Sequence, residues 1–203
     1  GQNVEQRQKD VEWFWNTGIL NTRSNVQFGE GGAGTFSDGK LNTLVKDPLK
    51  RNQKVLEILV EHGADPEILY VNKPHIGTDV LSKVVKNIRE HIIDLGGQVF
   101  FESQVTDMTI KGGPIVAAAK LREINGDQPE KRRVLEAEAV VLAVGHSARD
   151  TFAMLLNRGV PMEKKAFAVG LRIQHPQAMI NQSQYGMAHS DILGPASYKV
   201  THQ

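Results

Sequence analysis

Apolar residues fall at helical spacing in four stretches of the chain, with a block of strand-like alternation between the third and the fourth. From residue 4 to 15, Val4, Val11, Phe14 and Trp15 stand among Glu, Gln, Arg, Lys and Asp, which makes a modest helical stripe. Trp13, Phe14 and Trp15 read as packing residues, since large rings gain most from leaving water. Residues 16–24 are polar and turn-like. Asp47-Pro48 predicts a helix start, an acidic cap with proline at the first position, followed by Leu49, Leu56, Leu59 and Val60, with Gly63 as the stop. Residues 64–66 read as a turn and 68–71 as a short strand. Thr78 is the expected cap of the most regular helix. Its stripe of Leu81, Val84, Val85, Ile88, Ile92 and Leu95 should pack on a sheet, and Gly96-Gly97 should end it.

The β block follows. Residues 98–102 predict a short strand. Residues 105–110, 115–122 and 132–138, separated by Gly112-Gly113-Pro114 and Asn125-Gly126-Asp127, predict a three-stranded meander. Residues 139–144 are continuously apolar, as a strand buried on both faces should be. Gly145 breaks that run, and Ser147 with Asp150 predicts a capping box for a helix carrying Phe152, Leu155 and Leu156 and closed by Gly159. This order predicts an α/β fold with a mixed sheet and a nucleotide at the carboxyl end of the buried strand. After Lys165 the pattern changes: residues 166–173 read as a strand and the rest is polar. The expected division is 1–163 as one domain and 164–203 as the beginning of a second.

Composition adds mainly exclusions. The chain has 203 residues, 40% hydrophobic and 23% charged, which are globular values. A net charge of +1 gives no field that argues for nucleic acid or an acidic membrane. Without cysteine there is no disulfide framework, no thiolate metal site and no cysteine nucleophile, and a cytoplasmic location is expected. No apolar run is long enough to span a bilayer, and the first residues do not read as a signal peptide, so none is expected. The seven histidines show no H-x-x-x-H or H-E-x-x-H spacing, so no metal site is expected.

Chemistry concentrates in residues 25–41, Asn-Val-Gln-Phe-Gly-Glu-Gly-Gly-Ala-Gly-Thr-Phe-Ser-Asp-Gly-Lys-Leu, which hold five of the nineteen glycines. Such density is unfavourable inside a helix or strand but lets bare peptide N–H groups approach an anion. Gly29, Gly31 and Gly34 satisfy G-x-G-x-x-G, yet only Val26-Gln27-Phe28 precedes them and a turn follows. Gly34 to Lys40 read G-x-x-x-x-G-K, but Leu41 stands where a P-loop needs Ser or Thr for Mg²⁺. A ligand-free glycine turn is the plain alternative.

The whole segment resembles the second glycine-rich segment of a family of FAD-dependent dehydrogenases, within the large flavoprotein group that carries a glutathione-reductase-type FAD domain. The resemblance continues through Pro74-His75-Ile76-Gly77-Thr78-Asp79, Ala143-Val144-Gly145-His146-Ser147-Ala148-Arg149-Asp150 and Arg172-Ile173-Gln174-His175-Pro176-Gln177. It implies an incomplete FAD/NAD(P)-binding Rossmann-like domain plus the start of a substrate or cap domain. Family members carry the dinucleotide fingerprint before the point where this chain starts and a long part after it ends. The chain therefore reads as an internal piece that does not hold FAD or act by itself.

By resemblance, Gly31, Gly32 and Gly34 would let backbone approach FAD, with Ser37, Asp38 and Lys40 further along the flavin. Lys40 would lend a cation to the reduced ring. Val105 would offer backbone groups to the adenine, and Gly145 would close the site. His146 and His75 are the acid/base candidates. His175 and Arg172 could meet an acidic substrate. The implied reaction is hydride transfer between a small-molecule substrate and flavin, with the substrate, the electron acceptor and the oligomeric state left open. The competing readings are a non-catalytic folded fragment and a P-loop-like nucleotide-binding protein.

Overall fold

The first helix, α1 (Val4–Thr17), begins where the side chain of Asn3 accepts the Gln6 N–H at 2.8 Å, and ends at Gly18 in the left-handed region. Its buried side chains are Val4, Arg7 and Val11, spaced three and four apart, so a charged residue occupies the buried stripe. Trp13 and Trp15 are exposed, Trp15 to 71%, so of the expected core or interface packing the core role does not hold. They stand outside the Val4–Arg7–Val11 face that docks.

The computed structural model describes residues 1–36, 39, 41, 47–71, 74–110, 117–123, 131–167, 170–171 and 173–198. It separates into two compact units, Gly1–Pro161 and Met162–Gln203. In the first unit, α2 (Arg51–Glu61) starts three residues beyond Pro48. Asp47 still serves the helix end: its carboxylate accepts the Arg51 and Asn52 N–H groups at 2.8 and 2.7 Å. Residues 66–69 form a 3-10 turn, and the short strand expected at 68–71 is not there. Asp65 caps it through the Glu67 N–H, and Pro66 has its φ preset for a helical turn.

Helix α3 (Thr78–Asp94) follows with Gly77, not Thr78, at the cap position. Its stripe packs mainly at the N-terminal half. Val84 is fully buried in a cluster with Ala64, Ile68 and Ile76, and Leu81 and Ile88 pack against it. Leu95 is 76% exposed and Ile92 is exposed as well. The described contacts of α3 are with α1, with the turn at residues 33–36 and with this cluster; the expected packing of the stripe on the sheet is not seen.

Residues 98–102 are not a strand; β1 begins at Ser103, after Glu102 at φ 48°. β1 (Ser103–Ile110), β2 (Ala117–Glu123) and β3 (Lys131–Ala137) form the expected meander, antiparallel in order β1-β2-β3. Pairing runs from Ser103↔Glu123 to Ile110↔Ala117 and from Ala117↔Ala137 to Glu123↔Lys131, with an irregularity between Val105 and Asp107. Both connecting turns lie outside the described residues.

The apolar run at 139–144 is the main departure from expectation. It is not a strand, Val141 is 89% exposed, and the described sheet is antiparallel rather than mixed. A strand needs neighbours for its peptide groups, and none lies beside this run among the described residues. Helix α4 (Arg149–Asn157) has Ala148 at its cap and no side-chain cap bond. The expected Ser147/Asp150 box does not form because the Asp150 carboxylate is drawn to the Gln104 side chain on β1. Arg158 also grips Asp107 of β1 with two bonds, which docks the end of α4 on the sheet.

The second unit contains α5 (Gln177–Tyr185), which the sequence pattern does not predict. Buried Asn181 accepts the Ala196 N–H and a Gln177 amide N–H, both at 2.9 Å, and donates to the Ala188 carbonyl at 3.0 Å. The described residues of 166–173 are not in a strand. The fold is thus mixed α/β. No helix among the described residues is long and apolar enough to cross a membrane.

Candidate functional site

The site is built around Arg7, which is 0% exposed. Its Nε and Nη2 donate to the Asn25 carbonyl at 3.3 and 2.9 Å. Its Nη1 donates to the carbonyls of Glu30 and, at 3.0 Å, Gly32. The guanidinium also lies 4.8 Å from the centre of the Phe36 ring. Burial lowers the Arg7 pKa from its ordinary value, and the Glu30 charge works against that shift.

A second arginine ties the same elements from outside. Arg89 of α3 pairs with Glu5 of α1 and with Glu30 of the loop, each at 2.8 Å. The Glu30 carboxylate also accepts the Val4 N–H at 2.7 Å. The hydrogen bond from Arg89 holds the Glu5 carboxyl down from 4.5 to about 2. α1, α3 and the glycine loop are therefore joined by charge-assisted bonds.

Within the loop the glycines have different reasons to be glycine. Gly31 and Gly32 both have positive φ, 80° and 63°. A Cβ on Gly31 would collide with the hydroxyl of Thr35, so protein packing itself requires glycine there. A Cβ on Gly32 would meet no atom within 4 Å, because Gly32 faces open space. Gly145 repeats that situation at φ 76°. The hydroxyls of Thr35 and Ser24 are buried without a hydrogen-bond partner among the described residues.

That open space is a cavity of about 680 Å³, within the range of small-molecule sites. Gly31, Gly32, Ala33 and Phe36 of the loop line it together with Gly145, His146 and Ser147, and Trp15 of α1 lines it as well. Val105 lines an adjacent cavity of about 420 Å³, which shares Phe28, Val144 and Ser147 with the first.

The fold thus brings together Gly31, Gly32, Gly145 and His146, with Val105 next door. Gly34 is not among the residues lining the cavity. His75 is elsewhere. The backbone of 74–76 pairs with that of 39–41, Leu41 N–H to Pro74 at 3.0 Å and Ile76 N–H to Gly39 at 2.9 Å. His75 itself lines a small separate cavity of about 120 Å³ beside Asp65 and Ile68. Ser37, Asp38, Lys40 and Arg172 lie outside the described residues, and the first three belong to the P-loop-like match. The G-x-G-x-x-G match has bends rather than a strand before it and a 3-10 turn after it, so it is not a βα turn. In the second unit, His175 Nδ1 and the Tyr198 hydroxyl are 2.8 Å apart.

Arg7, Glu30 and Arg89 went unnoticed in the sequence. For Arg7 the signal was present: it stands at the helical spacing of Val4 and Val11, where an apolar residue belongs.

Residues 166–203 match the family model described as FAD-dependent protein, C-terminal domain-like. The whole chain is 49% identical to an uncharacterised protein of Clostridium beijerinckii over 204 residues. The chain spans 36% of the length of that protein.

Proposed function

We propose that the chain is part of an FAD-dependent oxidoreductase with a Rossmann-like FAD domain, passing hydride between a small-molecule substrate and flavin. The observation that carries this reading is the shared cavity: two glycine-bearing segments far apart in sequence, 25–36 and 143–147, face one space. Gly32 and Gly145 leave room where side chains would otherwise stand, so the residues fit a large, flat, phosphate-bearing ligand. The match of residues 166–203 to FAD-dependent proteins supports the same reading.

Bound FAD would supply hydride chemistry at its ring. The work of this chain is to bind and orient it. Gly31 and Gly32 offer close backbone approach, Val105 the adenine side, and Gly145 the closing edge. His146, at the cavity wall, is the candidate proton carrier, and Lys40 the candidate cation. Domain roles follow the same reading, with 1–163 on the cofactor and 164–203 opening the substrate part.

The test is flavin content in the full-length protein. It should purify yellow, and Gly32→Val should lower the ratio of flavin to protein absorbance by putting a branched side chain into the cavity. A Gly32→Val protein with full flavin refutes the placement. A folded wild type that neither contains nor takes up FAD refutes the function.

A further inference from the structure

In a planar trans peptide the carbonyl of one residue and the N–H of the next point in opposite directions, and no described peptide here is cis. Arg7 takes the carbonyls of Asn25, Glu30 and Gly32 on its own side. The N–H groups of Val26, Gly31 and Ala33 therefore face away from Arg7. All three residues line the large cavity. The intervening donors are used inside the protein: Glu30 N–H goes to Gln2 at 3.1 Å and Gly32 N–H to Gly29 at 3.0 Å. The loop alternates donors spent on its own fold with donors facing outward. Backbone N–H groups that are not spent on the fold can serve a bound anion.

We propose that Arg7 is a positioning residue that turns these three N–H groups into a receptor for a phosphate or diphosphate. The anion does not touch Arg7. The guanidinium acts from behind the loop, and its planar fork is what lets one side chain hold three carbonyls at once. Lysine, a single point charge, cannot hold them in the same plane. Glu30, paired to Arg89, keeps the loop on α1 and α3 while Arg7 sets its peptide planes. The ligand named under the proposed function supplies the diphosphate, so that identity rests on the flavin reading; the anion receptor itself does not.

The experiment strips any bound flavin and compares ADP, inorganic pyrophosphate and riboflavin binding to full-length wild type, Arg7→Lys and Arg7→Ala, with the melting temperature of each recorded. Arg7→Lys should weaken ADP and pyrophosphate by about tenfold or more while riboflavin changes by less than about twofold, because only the former pair uses the outward N–H groups. Millimolar guanidinium should restore ADP binding to Arg7→Ala, a rescue that a general loss of structure would not show. Equal loss of all three ligands, or no loss of any, overturns the proposal. A wild type that binds neither ADP nor pyrophosphate overturns it as well. A wild type that binds both phosphate probes but no flavin, with the Arg7→Lys difference intact, upholds the receptor and refutes the flavin reading.

Discussion

Two stretches line the same cavity and are held in opposite ways. Residues 24–36 are polar and glycine-rich, yet Ser24, Asn25 and Thr35 are buried. Residues 139–144 are apolar, yet Val141 is almost fully exposed. The polar stretch is inside because Arg7 answers its carbonyls and Arg89 answers Glu30. The apolar stretch is outside because no described element offers its peptide groups a partner. Hydrophobicity raises the gain from burial, but hydrogen-bond partners decide whether burial is possible.

Breaking the polar half of that contrast should have the largest effect. Arg7→Ala would leave three inward carbonyls without their arginine donors. It should lower stability by about 3–5 kcal/mol, the sum of several unanswered buried acceptors, read by thermal or denaturant unfolding of the 203-residue chain. A loss under about 1 kcal/mol would mean that the loop is held by something else.

Within the loop, Gly31→Ala should cost about 2–3 kcal/mol, because strain at positive φ adds to the collision with Thr35. Gly32→Ala carries only the backbone cost of about 1 kcal/mol, since its Cβ meets open space. Equal losses in the two variants would erase the distinction between a packing glycine and a cavity glycine.

Acid should loosen the same region. Glu5 has a folded pKa held down to about 2, so the stability it contributes is present above its unfolded value of 4.5 and is lost as pH falls toward 2. The pair with Arg89 is partly exposed, so the contribution is at most about 1 kcal/mol. Glu5→Gln should flatten the stability profile between those pH values, and an unchanged slope would detach Glu5 from the network.

The smallest effect belongs to the apolar half. Val141→Thr should change the stability of this chain by no more than about 0.5 kcal/mol, as at any exposed position. A loss several times larger would show that the run is packed after all.

What could be seen in the sequence was local. The periods of Val4–Val11 and Leu81–Ile88 predicted helices, and alternation between turns predicted the meander. What could not be seen depended on partners distant in the chain. Ser147 and Asp150 have the spacing of a capping box, but Gln104 competes for the carboxylate from across the fold. Residues 139–144 have the composition of a buried strand but not its neighbours. At the site, glycine density pointed to the loop, and the Gly145 break pointed to the other segment that lines the cavity. Neither disclosed that Gly31 is glycine for the sake of Thr35, or that an arginine from another helix sets the loop from behind.

β3 is the last strand of the described sheet, and its outer row of peptide groups has no strand beside it among the described residues. An open strand edge is a template on which a second chain can add itself, and unchecked addition ends in aggregates. β3 begins with Lys131, Arg132 and Arg133 and turns apolar only at Val134 and Leu135. Stacking two such edges in parallel register sets like charges side by side. The three basic residues therefore let the meander keep an open flank while making parallel self-addition along it unfavourable.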